Sequence, residues 1–173
     1  MTQSQTQIKH CRQESETAAL AQSLGNALVK VLTSNTNHHL NIALIGDLGA
    51  GKTTFARYLI QGMGHLGKVK SPTYTLCEPY PINLDQQLLT VHHFDLYRMH
   101  SPLEWQEAGF AEYFDAPGLC LVEWPEKAEN TLPPFDLQMT LTAGNTEPER
   151  VITLQAKAPP MTLNKRLVMV ERI

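Results

Sequence analysis

The run Gly46-Asp47-Leu48-Gly49-Ala50-Gly51-Lys52-Thr53-Thr54 fits the phosphate-cradling pattern G-x-x-x-x-G-K-[ST]. Glycines at 46, 49 and 51 allow positive φ and turn backbone N–H groups toward phosphate oxygens, and the N-terminus of a following helix adds its dipole. Lys52 supplies a point charge for the β- and γ-phosphates, and the Thr53 hydroxyl a ligand for Mg²⁺. Asp47, Leu48, Gly49, Ala50, Gly51, Lys52, Thr53 and Thr54 are expected to form the nucleotide loop. Asp47, being acidic, is expected to turn outward or toward attacking water.

Such a loop needs an acidic partner at the end of a neighbouring strand, so that Mg²⁺ is held opposite Thr53. Glu123 follows the apolar run Leu119 to Val122, and Asp95 follows Thr90 to Phe94. The first strand is the better buried, which assigns the metal to Thr53 and Glu123 and a water-orienting role to Asp95. His92 and His93 are adjacent, so in a strand they face opposite sides and do not chelate together easily. Arg98 is placed to reach a phosphate or to lock Asp95, or lies on the surface. Trp105 and Trp124 read as core or interface anchors.

The elements that must position these groups follow from periodicity. Leu40 to Ile45 suits a buried strand, and Thr53 to Gly62 a helix stopped by glycine, giving the order strand, glycine loop, helix. Upstream, Leu20, Leu24, Ala27, Leu28, Val31 and Leu32 predict an amphipathic helix, preceded by a loose polar tail over residues 1–12. Thr73 to Tyr80 and Leu88 to Phe94 read as strands joined by a loop from Pro81 to Gln87. Ser101-Pro102 starts a short helix that Gly109 ends, and another short helix is expected around Glu112. Leu119 to Val122 fits a central parallel strand. Leu137 to Ala143 and Val151 to Ala156 read as an antiparallel pair at the sheet edge around an Asn145 turn. The segment 157–173 carries no assignment. The expected fold is α/β: one P-loop NTPase domain with a mainly parallel sheet, flanking helices and an antiparallel edge pair.

The chain has 173 residues, 42% hydrophobic and 18% charged, with a formal net charge of −3, which suits one soluble domain and argues against a broad electrostatic grip on nucleic acid. DNA binding is therefore not expected, and any RNA connection is indirect. Cys11, Cys77 and Cys120 are widely spaced, as in a protein of the reducing cytoplasm. No apolar run approaches the ~20 residues of a membrane span.

Taken together, GDLGAGKTT at 46–54, SPTYTL at 71–76, HFDLYR at 93–98 and EWPEK at 123–127 resemble the TsaE (YjeE) family, small bacterial ATPases needed to make threonylcarbamoyladenosine in tRNA. The resemblance implies ATP with Mg²⁺, Thr53 and Glu123 at the metal, Thr73 in a switch segment near the γ-phosphate, and Asp95 in a second switch-like motif. It also implies an adenine-pocket edge near Glu16 and Thr17. By the same resemblance, TsaD and TsaB are the partners, and this chain supports their turnover in modifying the adenosine beside the anticodon. Two other readings stay open on the residues: a small-molecule kinase, for which six unclustered arginines are few, and a nucleotide-gated scaffold with little hydrolysis. A GTPase is disfavoured because no N-K-x-D string is present.

Overall fold

The computed structural model describes residues 5–34 and 39–156. Glu14 and Glu16 open the first helix, α1 (Glu14–Thr33), where their charge complements the helix dipole, and Thr17, Ala21, Leu24, Leu28, Val31 and Leu32 form its buried stripe. The strand β2 (His39–Ile45) runs into the glycine loop, and α2 (Lys52–Gly62) leaves it. Gly25 of α1 faces Gly62 and the Leu59 carbonyl of α2, so the two helices meet backbone to backbone.

Among the described residues, seven strands make one sheet. Besides β2, they are β1 (Gln5–Cys11), β3 (Cys77–Leu84), β4 (Gln87–Asp95), β5 (Gly118–Glu123), β6 (Leu137–Ala143) and β7 (Arg150–Ala156). Their order is β1-β7-β6-β2-β5-β4-β3. The centre, β6-β2-β5-β4, is parallel, and β3, β7 and β1 join antiparallel on the two flanks. Every residue of β5 is buried, as its unbroken apolar run requires. One face of the sheet packs on α1 and α2 through Leu40, Ile42, Leu44, Phe55 and Leu59. The other carries Phe94, Trp105, Phe114 and Val122 with α3 (Glu104–Glu107) and the 3-10 turn Ala111–Phe114.

Four expectations change. Residues 5–11 are not a loose tail but β1, because the outer border of β7 offers a hydrogen-bonding ladder and the alternating Gln-Thr-Gln-Ile-Lys-His-Cys fills it. The β6–β7 pair is consequently not the sheet edge. The loop expected over Pro81–Gln87 shrinks to Asp85-Gln86, since β3 and β4 pair up to Leu84 and Gln87. The strand expected from Thr73 begins at Cys77, because residues 71–76 stay beside the glycine loop. The segment 157–173 lies outside the described residues.

His92 and His93 do face opposite sides. His92 stacks on Tyr113 with ring centroids 4.1 Å apart, and burial, helped by nearby His39, pushes its pKa down to about 4. In the unfolded chain His92 takes its proton near pH 6.5, so its contribution is whole above that value and is lost toward pH 4, by up to about 3 kcal/mol. Asp95 opposes the trend, since burial raises its pKa. Urea unfolding of His92→Phe between pH 7 and 4.5 is expected to show a shallower loss than the parent, with Asp95 common to both; equal slopes would rule His92 out.

Candidate active site

Gly51 stands immediately before α2 with φ +97°, a left-handed conformation that glycine takes without strain. A Cβ on Gly46 would come within 2.5 Å of the Leu141 carbonyl oxygen, so only glycine lets the loop lie against β6. The first helical hydrogen bond runs from Phe55 N–H to the Gly51 carbonyl at 2.9 Å. The N–H groups of the preceding turn, Lys52 to Thr54, have no intrahelical acceptor and make an anion-receptive end.

Lys52 is 5% exposed and folds back over its own loop. Its Nζ donates to the carbonyls of Gly46 (2.5 Å) and Asp47 (2.9 Å), and lies 4.0 Å from the centre of the Trp124 ring. Burial draws its pKa below the ordinary lysine value, while Glu123, Glu126, Asp95 and Asp47 pull the other way. Trp124 is held at φ 57°, ψ 47°, a left-handed conformation uncommon for a bulky residue and frequent at working sites.

At the end of β5, Glu123 is 1% exposed, and its Oε2 accepts the Thr53 hydroxyl at 2.9 Å while its Oε1 accepts His93 Nε2–H at 2.7 Å. Asp95 lies opposite Glu123 in the β4–β5 register, with Oδ1 accepting the Tyr97 N–H at 3.1 Å. Burial raises the Asp95 pKa, and the Tyr97 hydrogen bond offsets part of that rise.

A cavity of about 580 Å³ joins these groups, lined by Gly49, Lys52, Thr53, Thr73, Asp95 and Glu123 among others. Thr73 enters from the turn before β3, its hydroxyl 2.5 Å from that of Ser71, and the neighbouring Tyr74 is exposed under the Arg98 guanidinium, 4.9 Å away. A second hollow of about 270 Å³ opens on the other side of Gly51 and Thr54, between Thr17 of α1 and Pro148. There the buried Thr17 hydroxyl oxygen lacks a hydrogen-bond partner; the Cys11 thiol beside it is a weak one. A larger hollow, about 870 Å³, lies among Pro133, Phe135 and Gln138 and contains none of the loop residues.

Of the sequence-derived residues, Leu48, Gly49, Gly51, Lys52, Thr53, Thr54, Thr73, Asp95 and Glu123 line the first cavity, and Thr17 and Ala50 the second. Asp47 is exposed and lines neither. The Glu16 carboxylate accepts the Arg12 N–H at 2.7 Å and so closes the start of α1, outside both linings. Sequence reasoning passed over two residues. His93 supports Glu123, and Arg150 donates from Nε to the Ala50 carbonyl at 2.8 Å and lines both cavities. Position two residues before Asp95 on the same strand face was the available signal for His93; Arg150 carried none.

A family described as "Threonylcarbamoyl adenosine biosynthesis protein TsaE" matches residues 11–152. The chain belongs to the TsaE family. It is 44% identical over 111 residues to the tRNA threonylcarbamoyladenosine biosynthesis protein TsaE of Haemophilus influenzae, covering 64% of this chain and 68% of that one. With the Bacillus subtilis TsaE it shares 41% over 115 residues, covering 66% and 68%. The crystal structure of Bacillus subtilis YdiB superposes with a TM-score of 0.69 at 27% identity, over 99% of this chain and 98% of that one. The matched residues 11–152 include every residue that lines the two cavities.

Proposed function

We propose that this TsaE-family chain is a Mg²⁺-dependent ATPase that supports turnover of a TsaD–TsaB complex installing threonylcarbamoyl on the adenosine beside the tRNA anticodon. The observation that carries the nucleotide part is the meeting of the Thr53 hydroxyl and the Glu123 carboxylate, 2.9 Å apart, at the helix end where Lys52 also lies. Among the described residues no group of three or more His, Cys, Asp or Glu is set to hold a metal unaided. That fits a cation whose remaining ligands are phosphate oxygens and water. When bound, Mg²⁺ neutralises charge on the phosphoryl group during transfer.

The chain's own residues do the rest. The anion-receptive end of α2 seats the phosphates, and Lys52 exchanges its two carbonyls and the Trp124 ring for phosphate oxygens. Thr53 and Glu123 hold the cation, Asp95 orients the attacking water, and Thr73 reads the γ-phosphate. The Thr17 hydroxyl, met only by the weakly bonding Cys11 thiol, suits the polar edge of adenine in the smaller hollow. The same proposal extends to TsaD and TsaB as partners, an indirect role for tRNA and a cytoplasmic setting; no helix among the described residues is long and apolar enough to cross a membrane.

Thr73→Ala is expected to lower hydrolysis several-fold while changing ADP affinity less than about twofold, because only the γ-phosphate state uses the hydroxyl. Equal loss of ADP and ATP affinity would count against it. The decisive experiment follows ATP hydrolysis and tRNA modification together, with the chain alone and with TsaD and TsaB. Multiple turnover that needs both this chain and ATP supports the proposal; no response from the partners, with phosphorylation of a metabolite, replaces it with a kinase.

One observation favours a second reading, a nucleotide-gated scaffold with slow hydrolysis. Both Glu123 oxygens and one Asp95 oxygen are already engaged by donors, which leaves little free base for water. Glu123→Gln separates the two: modification lost together with hydrolysis favours the ATPase, and modification kept without hydrolysis favours the scaffold.

A further inference from the structure

Glu123 is a buried carboxylate with two side-chain donors, and they come from different elements. Thr53 reaches Oε2 from α2, and His93 reaches Oε1 from β4. A carboxylate only accepts, so His93 Nε2 carries a proton, while Nδ1 has no hydrogen-bond partner among the described residues. His93 is fully buried. Among the described residues the hydrogen bond of this ring is thus the one to Glu123.

A cation set between the two groups would take a lone pair of the Thr53 oxygen and compete for Oε2 of Glu123, so the Thr53 contact is the one that cation binding alters. His93 is the donor that stays. We infer that His93 is a positioning residue for the cation site: by pinning Oε1 it keeps Oε2 of Glu123 turned toward the Thr53 hydroxyl. This rests on the Mg²⁺–nucleotide reading given above. Outer partners of this kind change metal affinity about 10- to 100-fold when removed. His93 is not among the residues that line the first cavity, so its loss is expected to act on the cation rather than on the nucleotide.

The test is calorimetric binding of a non-hydrolysable ATP analogue, once in Mg²⁺ and once in EDTA; the ratio of the two affinities measures the cation's contribution. His93→Phe keeps a flat ring and removes the donor, while His93→Gln returns an amide N–H of similar reach. The Phe variant is expected to lower the Mg²⁺ enhancement at least about tenfold with EDTA affinity within about twofold, and the Gln variant to restore most of it. Unchanged enhancement in a folded Phe variant overturns the inference, as does equal loss in EDTA. If the Phe variant does not fold, His93→Asn, whose amide falls short of Oε1, is compared with His93→Gln. Greater loss in Asn supports positioning, and equal enhancement in the two overturns it. An unaltered chain that does not bind the analogue overturns the nucleotide reading and this inference with it; one that binds without Mg²⁺ enhancement overturns the cation site alone.

Discussion

Alanine at position 52 is expected to slow ATP hydrolysis at least about tenfold. The ammonium is the positive group most deeply set in the first cavity, buried and held by the Gly46 and Asp47 carbonyls and by the Trp124 face. Those three contacts are weak compared with a doubly charged phosphate, so the lysine is poised to transfer, and its charge is conserved at each end of the movement. Arginine at the same place is expected to be no better, because a planar guanidinium does not fit between two carbonyls and a ring placed for a point charge. Thr53→Ala is expected to lose at least as much, with added sensitivity to Mg²⁺ concentration. Steady-state rates on purified, folded variants decide it; unchanged hydrolysis in either variant would remove these residues from the site.

The second large effect concerns stability. Gly25→Ala is expected to destabilise the chain by about 3 kcal/mol and to lower Tm by roughly 6–12 °C. Helix propensity alone predicts the opposite sign, since alanine favours a helix interior by about 1 kcal/mol over glycine. Close approach wins, because the added Cβ would lie 2.4 Å from the Leu59 carbonyl oxygen and 3.0 Å from the backbone of Gly62 and Met63. These are backbone atoms of a helix that cannot rotate away. Gly62→Ala meets the same crossing from the other side, 2.6 Å from Gln22, so the double variant should lose less than the sum of the two. A rise in Tm for Gly25→Ala would mean that α1 and α2 separate freely. Because α2 begins at Lys52, slippage at this crossing is also expected to reach the site.

The parts of this arrangement that were legible in the sequence are those set by local chemistry. The glycine loop announced itself by residue type, and β5 by an unbroken apolar run ending in an acid; the structure then sets Thr53 and Glu123 in contact. Long-range pairing was not legible. Residues 5–11 are polar enough to read as a tail, and only the open border of β7 makes them a strand. Arg150 reaches the loop from a residue 100 positions away in sequence, with nothing local to mark it. His93 was dismissed as half of a chelating pair, although the same alternation that separates it from His92 places it on the face of Glu123. Pro81 reads as the start of a loop, so the expected strand stops at Tyr80, whereas β3 runs on to Leu84.

Pro79 and Pro81 have a consequence for how the molecules behave in company. β3 is the last strand of the sheet, and proline in such a strand turns its missing donor outward. At Pro79 and Pro81 an incoming chain would find no N–H to bond, at two alternate positions on the same border. The sheet is therefore closed to growth by strand addition on that side, and crowding copies of the protein together offers them no template for fibrils at the β3 border.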